Sequence, residues 1–74
     1  MNETLGRSRT RAGFNPSGNH LVETYKNDAG YSIDRLEEMK NDSSSPEQKR
    51  LFSLAQTAYE EACMWAVKAM TFND

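Results

Sequence analysis

The feature that most constrains this chain is its ending, Glu60-Glu61-Ala62-Cys63-Met64-Trp65-Ala66-Val67-Lys68-Ala69-Met70-Thr71. It reads as the last part of a long helix whose large apolar residues are too many for one narrow face. A chain of 74 residues cannot bury such a helix well by itself. Chains of this size bury only about 60% of the surface that the unfolded form exposes. Small scaffolds make up the difference with disulfides, a metal or oligomerisation. A single cysteine, Cys63, excludes an intramolecular disulfide, and a single histidine, His20, leaves too few ligands for a mononuclear zinc site. Oligomerisation remains, and oligomers of helical hairpins can build ligand pockets between protomers. No metal or cofactor is expected.

The rest of the chain supports an all-α hairpin. Ser45, Pro46 and Gln48 form a capping box with proline at the first helical position. A helix from about 46 to 71 then spans roughly 39 Å. Its expected stripe is Leu51, Leu54/Ala55, Ala58, Ala62, Trp65/Ala66 and Ala69, with Phe52, Tyr59, Cys63, Met64, Val67 and Met70 widening the apolar surface. An earlier helix is expected from about 20 to 40, capped by Asn19, with Val22, Tyr25, Ala29, Ser32/Ile33, Leu36 and Met39 spaced three and four apart. Gly30 interrupts it, either as a tolerated weakness or because a helix or ligand approaches the backbone there. The short link Asn41–Ser45 makes the two helices antiparallel.

Residues 1–13 read as a polar, basic arm, in which Gly6 and Gly13 allow at most a short helix. The cluster Gly13-Phe14-Asn15-Pro16-Ser17-Gly18-Asn19 is a turn, and its one large apolar residue, Phe14, should dock onto something. The domain division is therefore 1–13, arm, and 14–74, helical hairpin.

Several function classes are disfavoured. No apolar run approaches the ~18 residues of a membrane span, and the polar N-terminus lacks a signal-peptide core. A soluble, intracellular chain is expected. A net charge of -2 does not suit a non-specific duplex binder. No phosphate loop, metal-ligand cluster or nucleophile elbow is present, so the chain does not read as an enzyme. The pairs Glu37-Glu38 and Glu60-Glu61 point about 100° apart on a helix and do not converge on one atom. Cys63 reads as a small core residue and His20 as a capping or surface residue.

Some residues suit nucleotide binding. A phosphodiester ligand needs cationic or N–H donors for phosphate and flat surfaces for bases. The first 26 residues supply Arg7, Arg9, Arg11, Phe14, Asn15, Ser17 and Lys26. Asn15 can pair a base edge, and Ser17 with nearby amides can hold phosphate oxygens. On composition alone, the plainer reading is a flexible tail ending in a turn that packs Phe14 on the hairpin.

Arg11 with Phe14-Asn15-Pro16, Val22-Glu23-Thr24-Tyr25-Lys26, Ile33-Asp34, Arg50-Leu51-Phe52-Ser53-Leu54-Ala55-Gln56-Thr57, and above all Glu60-Glu61-Ala62-Cys63-Met64-Trp65-Ala66 followed by Lys68-Ala69 form a connected pattern. It resembles the phage anti-CBASS cyclic-oligonucleotide sponges, whose helical-hairpin domain is shared with Thoeris anti-defence sponges. The likeness covers about residues 11–71. It implies a homohexamer in the host bacterial cytoplasm that sequesters cyclic di- and trinucleotides of CBASS immunity, without cleavage, in pockets between protomers. It implies ligand-binding roles for Phe14, stacking on a base, and Lys26, contacting phosphate, with Arg11, Asn15, Pro16 and Ser17 beside them. Lys68 and Thr71 are the candidates for a second, trinucleotide pocket. The chain departs from the pattern at Gly13-Phe14-Asn15, where many relatives have a stretch containing tyrosine and histidine. It departs also at Lys26, where some have arginine; lysine lacks the bidentate fork. Thoeris-type relatives are longer, which favours the CBASS-type expectation. The alternatives are a sponge for cyclic ADP-ribose-type signals and a helical protein-interaction module with no nucleotide ligand.

Overall fold

A computed structural model describes residues 3–73. Three helices follow in order: α1, Leu5–Thr10; α2, His20–Asp42; α3, Pro46–Met70. The two long helices form the expected hairpin across Ser43–Ser45, and α1 lies across the middle of α2, against Asn27, Gly30 and Asp34.

Each helix start follows from a side chain that accepts from an otherwise unpaired amide. Thr4 Oγ1 accepts from the Arg7 amide at 3.1 Å, Asn19 Oδ1 from Leu21 at 2.8 Å, and Ser45 Oγ from Gln48 at 3.2 Å. The box at Ser45 differs from expectation in its return arm. The Ser45 amide donates to Ser43 Oγ at 3.1 Å, and that hydroxyl in turn donates to Gln48 Oε1. A second hydroxyl thus relays the contact that Gln48 would otherwise make directly. Glu47 and Arg50 add a two-point pair one turn on, at 2.8 and 2.7 Å. The Arg50 bond holds the Glu47 carboxyl below its usual range.

The side of α3 that faces α2 is not the expected stripe. Leu51, Leu54 and Trp65 are 51%, 54% and 56% exposed, and Ala58, Ala62 and Ala69 are exposed too. The hairpin instead buries Gln56 and Cys63 and half-buries Phe52 and Val67, which share one face at helical spacing. A helix apolar on most sides offers no unique stripe, and a hydrogen bond decides the rotation. Gln56, fully buried, donates through Nε2 to the Ile33 carbonyl at 3.2 Å and to Glu37 Oε1 at 3.0 Å. On α2 the buried set is Val22, Lys26, Ala29, Gly30 and Ile33, while Tyr25 and Met39 are exposed. Contact with both α1 and α3 shifts that buried sector by about one residue. Among the described residues the buried apolar ones number only five: Ala12, Val22, Ala29, Ile33 and Cys63.

Gly30 marks the close approach of a helix. A Cβ on Gly30 would lie 3.1 Å from the Gly6 carbonyl, and one on Gly6 would lie 1.9 Å from the Gly30 oxygen. The Gly6 amide donates to Asp34 Oδ1 at 2.7 Å, and Thr10 Oγ1 donates to the Gly6 carbonyl at 2.8 Å. Leu5–Thr10 is therefore not a free arm: this helix is docked backbone to backbone. Gly6→Ala should lower stability by about 1–3 kcal/mol, because the intruding atom is backbone and cannot swing away. Gly13→Ala, whose Cβ would meet nothing within 4 Å, should change it by no more than about 0.5 kcal/mol. Urea denaturation of the two variants beside the parent measures the difference; equal midpoints would refute the close approach.

Candidate functional site

The chain turns sharply after α1. Arg11 caps that helix in the left-handed conformation, φ 54°, with its amide donating to the Ser8 carbonyl at 3.2 Å. A non-glycine residue there is uncommon and carries a backbone penalty. The Phe14 amide then donates back to the Arg11 carbonyl at 2.9 Å. Asn15 holds the remainder of the turn: Nδ2 donates to the Asn19 carbonyl at 2.9 Å, and Oδ1 accepts from Ser17 Oγ at 2.7 Å. Gly18, φ 69°, closes it.

Lys26 pins this turn to the hairpin. The residue is only 7% exposed, and its ammonium donates to the Arg11 carbonyl at 3.2 Å and to the Phe14 carbonyl. Two main-chain oxygens thus supply what a buried charge requires. One of its three N–H donors is not used by these bonds. Phe14 stays exposed, with the Arg11 guanidinium carbon 4.3 Å from its ring centroid and Lys26 Nζ at 5.7 Å.

Between this turn, the start of α2 and the second half of α3 lies a cavity of about 690 Å³. Its lining brings together Arg11, Phe14, Asn15, Pro16, Ser17, Lys26 and Thr71, seven of the eight residues singled out from the sequence. Lys68 is not among them; its ammonium sits 5.5 Å from the Trp65 ring centroid. Thr71 donates its hydroxyl to the Val67 carbonyl at 2.8 Å and belongs to the same cavity as the turn. Asn15 and Ser17 reach the cavity already engaged with one another, so each presents only its remaining capacity.

Sequence reasoning missed the α3 wall. Thr57, Glu60, Met64 and Val67 line the cavity beside the expected Thr71, together with the buried Cys63. The signal was present as spacing of three and four along one helix face, but apolar patterning drew attention to a different face. Arg9, named with Arg7 and Arg11 as a possible phosphate donor but not placed in the expected site, lines the cavity and lies 3.8 Å from Glu60. One wall is therefore cationic, one carries carboxylates, and Val22, Met64 and Val67 provide apolar surface. Such a cavity has the means to take a molecule that combines anionic groups with flat rings.

Burial pushes the Cys63 thiol up from its ordinary value of 9.0, and the nearby Lys26 charge only partly offsets this. Iodoacetamide at pH 8 should label native Cys63 at least about tenfold more slowly than the urea-unfolded chain, since the thiolate is the reactive form. The raised folded value also sets a sign. Stability from this group is level well below pH 9.0 and declines above it, as only the unfolded chain readily loses the proton. Equal labelling of native and unfolded protein would contradict the burial. At Arg11, both Arg11→Gly and Arg11→Ala lose the stack on Phe14, but only glycine relieves the left-handed backbone. The glycine variant should be about 1 kcal/mol the more stable of the two; a more stable alanine variant in thermal melts would contradict the assigned conformation.

The family model for the Acb2/Tad1 hairpin domain matches residues 7–71, nearly the whole chain and all of the cavity lining. No curated protein and no solved structure shows a significant match. The chain belongs to the Acb2/Tad1 hairpin-domain family, the family of anti-CBASS and anti-Thoeris sponges.

Proposed function

We propose that this chain binds and sequesters cyclic di- and trinucleotide second messengers of host CBASS immunity, releasing them unaltered, and acts in the host bacterial cytoplasm as a homohexamer. The observation that carries this reading is the cavity of about 690 Å³ in which Phe14, Arg11 and Lys26 meet. Its volume falls within the range of small-molecule sites. Phe14 offers a ring face to a base. Arg11 supplies a guanidinium for phosphate, and the N–H of Lys26 left over from the turn is a second donor. Asn15 pairs a base edge with its remaining donor and acceptor. Lys68 and Thr71, three residues apart at the end of α3, are the candidates for a trinucleotide site.

Oligomerisation is supported by the unpartnered side of α3. Leu51, Leu54 and Trp65 are each more than half exposed, far more than the few buried apolar residues described can balance in a stable monomer. The number six is taken from the family.

Native mass spectrometry with a mixture of cyclic di- and trinucleotides tests the proposal. The expected result is a hexamer that retains intact nucleotide at constant stoichiometry. In thermal melts, a ligand at about 100 times its dissociation constant should add about 2.7 kcal/mol by linkage. Phe14→Ala should weaken binding by about 1–3 kcal/mol through lost stacking, and Lys26→Ala should weaken it too, both with the oligomer intact. A well-formed oligomer that retains no cyclic nucleotide, and whose melting point none shifts, would overturn the reading in favour of a protein-interaction module. Competition by cyclic ADP-ribose separates the two signal types.

A further inference from the structure

The cavity contains a conflict of charge. Glu60 and Glu61 stand on its α3 wall, facing a space proposed to admit phosphates. A free carboxylate there repels such a ligand. The position of Arg9 accounts for one of them. Arg9 Nε lies 3.8 Å from Glu60 Oε1, and the two side chains are 33% and 47% exposed. This is one long contact between partly solvated groups, and pairs of that kind are weak.

The three lining cations are not equally free. Lys26 is buried and bonded to two carbonyls, and Arg11 is stacked on Phe14. Among the described residues, the Arg9 side chain alone of the three is engaged only in a single weak ion pair. Its guanidinium can turn without breaking the turn or the hairpin. It also carries the planar fork that pairs phosphate through two parallel hydrogen bonds, a stronger arrangement than the one it would leave.

We infer that Arg9 is a further phosphate-binding residue, held at the cavity by Glu60 until ligand arrives. In the empty protein the Glu60 carboxylate occupies the place of a phosphate and keeps the guanidinium aimed inward. On binding, Arg9 exchanges the carboxylate for the phosphodiester, and Glu60 turns to solvent. Glu60 thus both positions Arg9 and competes with the ligand. The inference rests on the reading of the cavity as a phosphodiester site.

Isothermal titration of the full-length protein with a cyclic dinucleotide and a cyclic trinucleotide, at several salt concentrations, tests it. Arg9→Ala should weaken binding about tenfold and flatten its salt dependence, with helicity and oligomeric mass unchanged. Arg9→Lys should restore the salt dependence but only part of the affinity. Glu60→Gln should tighten binding by up to about fivefold. In the Arg9→Ala background the same substitution should gain less than about twofold, because the competition has been removed. An equal gain in both backgrounds would overturn the exchange, and wild-type affinity in Arg9→Ala would overturn the assignment of Arg9. Were Arg9→Ala to misfold, Glu60→Gln decides alone, since unchanged affinity there excludes a competing carboxylate. Failure of the wild type to bind either probe would overturn the underlying site reading as well, and is distinct from a wild type that binds while its Arg9 variants behave as parent.

Discussion

The whole arrangement depends on the contact between two glycine backbones. Gly6 and Gly30 approach so closely that a Cβ on Gly6 would overlap the Gly30 carbonyl. The contact brings α1 down onto α2, and the Gly6 amide bonded to Asp34 at 2.7 Å holds it in register. From that crossing the chain has only the residues between Thr10 and His20 in which to reach the start of α2. The short path forces the left-handed Arg11 and the tight Asn15 turn, and these bring Arg9, Arg11 and Phe14 to one wall of the cavity. A helix of six residues has no stability of its own; docking by backbone contact is what gives it a place.

Lys26 completes the same construction from below. A buried ammonium is unfavourable unless its donors are satisfied, and here the carbonyls of Arg11 and Phe14 satisfy two of them. The lysine therefore belongs first to the turn and second to the cavity. This changes how a loss of binding at this position would be understood. Removing Lys26 would take away a charge near the ligand and also free the segment that carries Phe14. An effect there reports both, whereas an effect at Arg9, which supports no backbone, reports ligand contact more directly.

The helical boundaries were legible because caps are local. Asn19, Ser45 and Pro46 announce helix starts through side chains and backbone within three residues, and the structure keeps them. The family was legible in the segment around Met64-Trp65-Ala66. The rotation of α3 was not, because it turns on Gln56 reaching Ile33 and Glu37 across the hairpin. No spacing rule announces that a glutamine will lie inside while Leu51, Leu54 and Trp65 stay out. The same error hid the α3 wall of the cavity. The docking of α1 was half visible: Gly30 suggested a close approach, but Gly6 read only as a helix breaker. Pairing the two requires the tertiary fold.

A protein that works by sequestration gains nothing from stabilising a transition state; its output is set by affinity and copy number. Affinity in a small pocket is lost chiefly to the ordering of flexible groups on binding. In this chain much of that ordering is done beforehand. The Asn15–Ser17 turn is hydrogen-bonded, Phe14 is held against Arg11, and Lys26 clamps the main chain behind both. A short chain with few buried apolar residues cannot obtain such rigidity from its core alone. It obtains it from polar contacts to the backbone, which set the turn without filling the cavity. The apolar side of α3 is then left for association, and in the proposed oligomer each added protomer would stabilise its neighbours while adding capacity for ligand.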